Sequence, residues 1–248
     1  MDGSIKSLER PTEIVVMTFN ILRSNRGHRS TIDCIAAERP DVLALQELSL
    51  SAADDIGRGL HELLPHQSLD PRSGVSGGGV LSRFPIVAEQ RFVLEPGGHA
   101  CQHLQLDCSG RSIGMINIHL SAPKFSLRRY DPSRRDREAR VLAGRMEQVP
   151  DPLIVAGDFN MTPRSLGYLL LTARLRDAYR EAGIGSGRTF PHAPRVGRIP
   201  MPLWPAPFPV IRIDYIFHSS DLQARRTRVG QGDGSDHLPV IAELGFTF

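Results

Sequence analysis

Asn20, Glu47, His119 and Asp158 each stand where an apolar, β-branched run of this chain gives out, and Asp214 and the pair Asp236-His237 stand where later runs begin. That placement constrains the fold more than any other feature. In open α/β sheets, ligands bind beyond the carboxyl ends of the strands. An antiparallel strand brings its beginning to that same edge. The chain therefore suits an architecture in which scattered strand ends converge on one cleft.

The runs are Ile14–Ile21, Asp41–Leu48, His103–Asp107, Arg111–Leu120, Pro152–Gly157, Ile211–Phe217 and Leu238–Phe246, all bounded by turn signals and read as strands. Ser109-Gly110 reads as a hairpin turn between two of them. Helices are expected at about Thr31–Glu38, Ala52–Leu63, Arg134–Gln148 and Ser165–Thr172, two of them stopped by Pro40 and Pro150. Two stretches share one form: a strand ending at Asn20 leads through a helix to a strand ending at Glu47, and the same holds from His119 to Asp158. Two such halves imply an α/β chain folded as a four-layer α/β/β/α sandwich, with two mixed sheets face to face and helices outside. No linker-like stretch divides the 248 residues, so one domain is expected, its core at about residues 13–248.

Each motif has a bland alternative. In Gly157-Asp158-Phe159-Asn160 the glycine permits close backbone approach, and the i, i+2 spacing aims carboxylate and amide the same way. The pair suits water activation, or merely an Asx turn leaving a strand. Glu47 suits a hard divalent cation, or is a surface acid; Asn20 alone is a turn former. His119 between apolar residues is, read alone, more often a satisfied core or edge histidine than a catalyst. Asp214 needs a partner if buried, and Arg212 or a histidine could supply it. Adjacent strand residues face opposite ways, so Asp214 is a better partner for His237 than Asp236 is.

The ordered series TFNI, LQEL, INIHL, GDFN, RIDYIF and SDHLPV resembles the endonuclease/exonuclease/phosphatase superfamily, in its generic bacterial branch, over residues 14 to 246. Gly79–Ile86 also looks like that superfamily's strand between its second and third motifs. The resemblance implies a metal-dependent phosphoesterase. It makes Glu47 the principal ligand of Mg²⁺ or Mn²⁺, with Asn20 and the Asp236 carboxylate close by. It makes Asp158 and Asn160 the pair that activates and positions water. It sets His237, supported by Asp214, and His119 against the phosphate. The number of metals and the identity of the base stay open. Met161-Thr162-Pro163 after GDFN departs from abasic-site endonucleases, against a dedicated repair role.

A formal charge of +3 is compatible with a polyanionic substrate without requiring one. Cys34, Cys101 and Cys108 lack disulfide or zinc spacing, and no secretory signal or membrane-length apolar run is present. A soluble cytoplasmic monomer without an obligate protein partner is expected, cleaving a phosphodiester, with nucleic acid the first substrate. Lys124–Arg140, with seven basic and three acidic residues, could track a phosphate backbone or be a solvated helix with internal ion pairs. Trp204 and Phe208, in the proline-rich stretch before the Asp214 strand, could stack on a base, enter a lipid interface or pack on the core. A lipid-headgroup phosphodiesterase is thus the alternative enzyme, and a non-catalytic phosphate-binding protein the alternative outside enzymes.

Overall fold

A computed structural model describes residues 12–126, 129–192 and 209–247. The Trp204 stretch, with Phe208, lies outside the described residues. The first half runs β1 (Glu13–Asn20), α1 (His28–Glu38), β2 (Val42–Gln46), α2 (Leu50–Gly59), β3 (His66–Asp70), β4 (Gly78–Ser82) and β5 (Ile86–Phe92). It continues with β6 (Cys101–Asp107), β7 (Ser112–His119), the small hairpin β8 (Lys124–Ser126) and β9 (Arg129–Asp131), and α3 (Ser133–Met146). Next come β10 (Leu153–Asp158), α4 (Leu166–Thr172), β11 (Arg176–Asp177), α5 (Ala178–Ala182) and β12 (Gly183–Ile184). The last strands are β13 (Asp214–His218), β14 (Leu222–Val229) and β15 (Val240–Phe246).

Two mixed sheets result, in the orders β12-β14-β15-β1-β2-β4-β3 and β11-β13-β10-β7-β6-β5. Strand alternation explains how they stack. Even-numbered residues of β1 (Ile14, Val16) and odd-numbered ones of β7 (Ile113, Met115) join one core between the sheets. Met17 and Phe19 of β1 turn outward onto α1 and α2. Ile116 and Ile118 of β7 turn outward onto α3 and α4. These three apolar layers between four structural ones are the expected sandwich. The parallel pairs β1/β2 and β7/β10 sit centrally, one in each sheet, and account for the two similar halves. Ser109 and Gly110, at φ 58° and 83°, form the expected turn between β6 and β7.

The inter-sheet core changes character along its length. Beyond its aliphatic part lies a layer of buried amides: Gln46, Gln102 and Asn117. Gln46 Nε2 donates to Asn117 Oδ1 at 2.8 Å, and Asn117 Nδ2 lies 3.0–3.1 Å from the Leu45 and Gly79 carbonyls and Gln102 Oε1. Gln102 in turn donates to Ser68 at 2.8 Å. Buried amides with every polar atom engaged fix how one sheet sits on the other. Asn117→Ala is expected to cost about 2–3 kcal/mol, because it strands several of these partners in a dry layer. Urea denaturation measures this; an unchanged midpoint would mean the sheets do not depend on the network.

Three expectations need correction. Gly79–Ile86 is not one strand: β4 ends at Ser82, and Arg83–Pro85 turns the chain into β5. Asp214 opens β13 and does not lie inside a strand begun at Ile211. Arg212 bridges Asp177 at 2.7 Å and so is not the partner of Asp214. Among the described residues no helix is long and apolar enough to cross a membrane.

Candidate active site

Register brings three of the candidate residues into a single row. Asp158 at the end of β10 pairs with His119 on β7 and, on its other side, with Asp214 on β13. Across the sandwich, Asn20 ends β1 on the inward face shared by Ile14 and Val16. Its Nδ2 donates to Asp158 Oδ2 at 3.1 Å, joining the two sheets at the rim. Ser235 Oγ donates to the Asn20 carbonyl at 2.6 Å and accepts the His237 N–H at 3.1 Å, which ties the turn before β15 to β1. Asn20, His119, Asp158, Asp214 and His237 are all between 1 and 6% exposed. The convergence expected from the strand ends is therefore present.

Electrostatics gives these groups different characters. His237 Nδ1 lies 3.0 Å from Asp214 Oδ2, and its Nε2 lies 3.7 Å from Asp158 Oδ2. Burial disfavours charge on the ring, but the Asp214 and Asp158 carboxylates outweigh it and raise its pKa to about 10. Burial first, and the nearby Asp214 carboxylate second, push Asp158 up to about 7 against the pull of His237. His119 Nε2 stands 3.5 Å from the same Asp158 oxygen. Burial, then His99 and His237, hold its pKa well below the usual histidine range. One histidine is thus a cation and the other neutral, either side of one carboxylate.

Glu47 stands one residue beyond β2 at φ 60°, Asn160 two beyond β10 at φ 48°, and Leu22 two beyond β1 at φ 56°. Left-handed backbone at non-glycine residues is costly, and three instances at one rim mark a place where side-chain direction overrides local comfort. Asn160 Nδ2 donates to the Leu120 carbonyl at 2.9 Å and reaches Asp158 Oδ2 at 3.3 Å. Its N–H donates to Asp158 Oδ1 at 2.9 Å, so the Asx turn and the paired polar groups coexist. Glu47 accepts only neutral donors among the described residues, Asn20 Nδ2 at 3.3 Å and the Arg23 N–H at 3.1 Å.

Glu47, Asp158 and Asp236 line a cleft of about 690 Å³, together with His119, Asn160 and His237. A carboxylate-rich cleft with one buried imidazolium fits a hard divalent cation, which takes oxygen ligands and keeps water. The ligand-type atoms lying closest together are a different set, Asp158, Asp214 and His237, all within 4.8 Å of one another. In that set Asp214 is already engaged by His237, whereas Glu47 at the cleft wall has no cationic partner among the described residues and could hold such an ion. The Asn20 oxygen accepts the Leu22 N–H at 3.1 Å, while its nitrogen faces both carboxylates.

Several residues of the site carry no signal in the motifs. His99 lines the cleft and packs against His119 with ring centroids 4.1 Å apart and planes tilted by 54°. Phe190 lies 4.8 Å from the His237 ring. Arg135 is buried in the first turn of α3 and donates to the Asn160 carbonyl at 2.9 Å and the Tyr130 hydroxyl at 2.8 Å, tying the Asn160 loop to the rim hairpin. Only the same-face spacing of Asn117 and His119, two residues apart on β7, was available to flag the amide layer below the site.

The sequence pattern of the Endonuclease/Exonuclease/phosphatase family matches residues 17–237. The chain belongs to that family. Members of the endonuclease/exonuclease/phosphatase family hydrolyse phosphoester bonds and depend on divalent metal. Solved structures agree on the fold. A family protein from Bacteroides vulgatus superposes with a TM-score of 0.74 at 20% identity, covering 95% of this chain and 100% of its own. The mannosyl-6-phosphatase of Bacteroides thetaiotaomicron gives 0.73 at 20% identity, over 94% and 100%. TDP2 of D. rerio, complexed with single-strand DNA product, gives 0.74 at 16% identity, over 95% and 100%. No curated protein sequence matches the chain.

Proposed function

We propose that this member of the family is a divalent-metal-dependent phosphodiesterase acting on nucleic acid. The observation that carries the reading is Asp158, a buried carboxylate held among Asn20, Asn160, His119 and His237 at the floor of an open cleft. Phosphoryl transfer requires an in-line nucleophile and neutralisation of charge on the phosphate oxygens. Asp158 takes the proton of the attacking water, and Asn160 orients that water. His237, kept protonated by Asp214, donates to a phosphate oxygen through Nε2. His119, neutral, offers a second donor on the other side of Asp158. Held by Glu47 with Asn20 and Asp236 beside it, a hard cation such as Mg²⁺ or Mn²⁺ would offset charge on the phosphate.

The open cleft of about 690 Å³ is lined beyond its central groups by Lys124, Arg134 and Arg137 as well as Glu95 and Asp131, which leaves room for a phosphate esterified on both sides. The relatives do not decide between diester and monoester, since a sugar phosphatase and a protein bound to DNA share the fold equally well. Nucleic acid is taken ahead of lipid because a protein of the same fold is complexed with a single-strand DNA product.

Turnover of bis-p-nitrophenyl phosphate, p-nitrophenyl phosphate, plasmid DNA, single-stranded DNA, RNA and sphingomyelin in Mg²⁺, Mn²⁺ and EDTA tests the proposal. EDTA is expected to remove cleavage and either metal to restore it. Chelator-resistant cleavage, or turnover of the monoester alone, would overturn the reading.

A further inference from the structure

The two rims of the cleft are charged differently. On the α3 rim two of the guanidiniums lining the cleft are engaged within the protein. Arg137 bridges Glu95 at 2.9 Å, and Arg134 lies 3.4 Å from the buried Glu138. Asp131 lines the same rim.

On the Glu47 rim the balance is reversed. A hollow of about 540 Å³ is lined by Arg23, Arg72 and the four hydroxyls of Ser24, Ser49, Ser51 and Ser73, with no carboxylate among its lining residues. Arg23 forms no side-chain ion pair or hydrogen bond among the described residues. Arg72 is braced by Asp70 at 2.8 Å, but Asp70 also faces Arg91 at 3.6 Å. Arg91 is itself held by Glu89 at 2.6 Å, so the cation of the hollow without a carboxylate partner among the described residues is Arg23, with Arg72 fixed beside it. Leu50, 72% exposed, sits at its edge and presents an apolar face. The hollow is continuous with the chemistry: the Arg23 N–H donates to Glu47 Oε2, and Ser49 lies two residues beyond Glu47.

Guanidinium and hydroxyl groups around a concave surface recognise phosphate oxygens, and an adjoining apolar face recognises a sugar or base. We infer that this hollow binds the phosphodiester next to the scissile one, so that the substrate is a polynucleotide spanning the Glu47 rim. The inference rests on the phosphodiesterase reading and narrows it, because a substrate with a single phosphate has nothing to place there.

Two measurements on the full chain separate the hollow from the catalytic centre. The first is fluorescence anisotropy of a fluorescein-labelled oligothymidylate of about eight nucleotides in EDTA, for wild type, Arg23→Gln, Arg72→Gln and Arg140→Gln, the last an exposed cation on α3 away from the cleft. The second is the ratio of kcat/KM for that oligonucleotide to kcat/KM for bis-p-nitrophenyl phosphate with metal present. Arg23→Gln and Arg72→Gln are each expected to weaken binding and to lower the ratio, by about tenfold. Each should also flatten the dependence of log affinity on log salt by about 0.7, the share of one phosphate contact on a single strand. Arg140→Gln is expected to change both by less than about threefold. Equal losses from Arg140→Gln, or unchanged binding and ratio in both Arg23→Gln and Arg72→Gln, would overturn the subsite. No wild-type cleavage of bis-p-nitrophenyl phosphate would instead overturn the phosphodiesterase reading, and the subsite with it.

Discussion

His237→Ala is expected to lower kcat on bis-p-nitrophenyl phosphate on the order of 10²- to 10³-fold, and Asp158→Asn by at least as much. The magnitude follows from preorganisation. The imidazole is held at Nδ1 by Asp214 and stays charged up to about pH 10, so its other nitrogen is a fixed donor that needs no proton from solvent. Alanine removes that donor and leaves Asp214 buried without its cation. Asp158→Asn keeps the shape of the side chain and can still accept from Asn20, but it removes the proton acceptor. The asparagine variant is therefore the cleaner test, since its circular dichroism and urea midpoint should stay near those of wild type. His237→Gln, which restores a donor without a charge, should recover less than a tenth of the lost rate. Turnover within about threefold of wild type in Asp158→Asn or His237→Ala would remove these residues from the reaction.

How much of this site could be seen in the sequence depended on periodicity. The row His119–Asp158–Asp214 was legible because each residue ends or opens an apolar run, and strand register then leaves little freedom. The pairing of His237 with Asp214 in preference to Asp236 followed from the same alternation. Strands at or next to the sheet edges were missed for the converse reason. β5 is exposed at most positions, β14 carries Arg225, Arg226 and Arg228, and β3 begins on two half-buried polar residues, so none of the three shows clean apolar alternation. Arg135 and His99 were illegible for a different reason. They act from a helix turn and a loop, where no period links them to the strand ends they touch. Arg212 misled because its neighbour in sequence is not its neighbour in space: the chain turns before β13, and the guanidinium goes to Asp177.

Gly157→Ala is expected to cost more than about 4 kcal/mol or to prevent soluble expression. Gly157 has φ 152°, and a Cβ on it would stand 1.9 Å from the Ile118 carbonyl oxygen and 2.8 Å from its carbon. Both obstacles are backbone, so no rotamer change relieves them. β10 and β7 lie parallel there, with Gly157 opposite Ile118 and the next pair being Asp158 and His119. The close approach of the two backbones is thus what sets the spacing of Asp158 from His119. Any shift that admits a methyl group must spread that row or twist it. Variant protein recovered in folded form is accordingly expected to lose at least about tenfold in kcat, beyond its loss of stability. Gly144→Ala supplies the contrast, because nothing lies within 4 Å of a Cβ at that position in α3. There the methyl group should stabilise the helix by up to about 1 kcal/mol. Urea denaturation of the two variants side by side decides the matter. Wild-type stability and turnover in Gly157→Ala would mean that the β7–β10 contact does not position the Asp158 carboxylate.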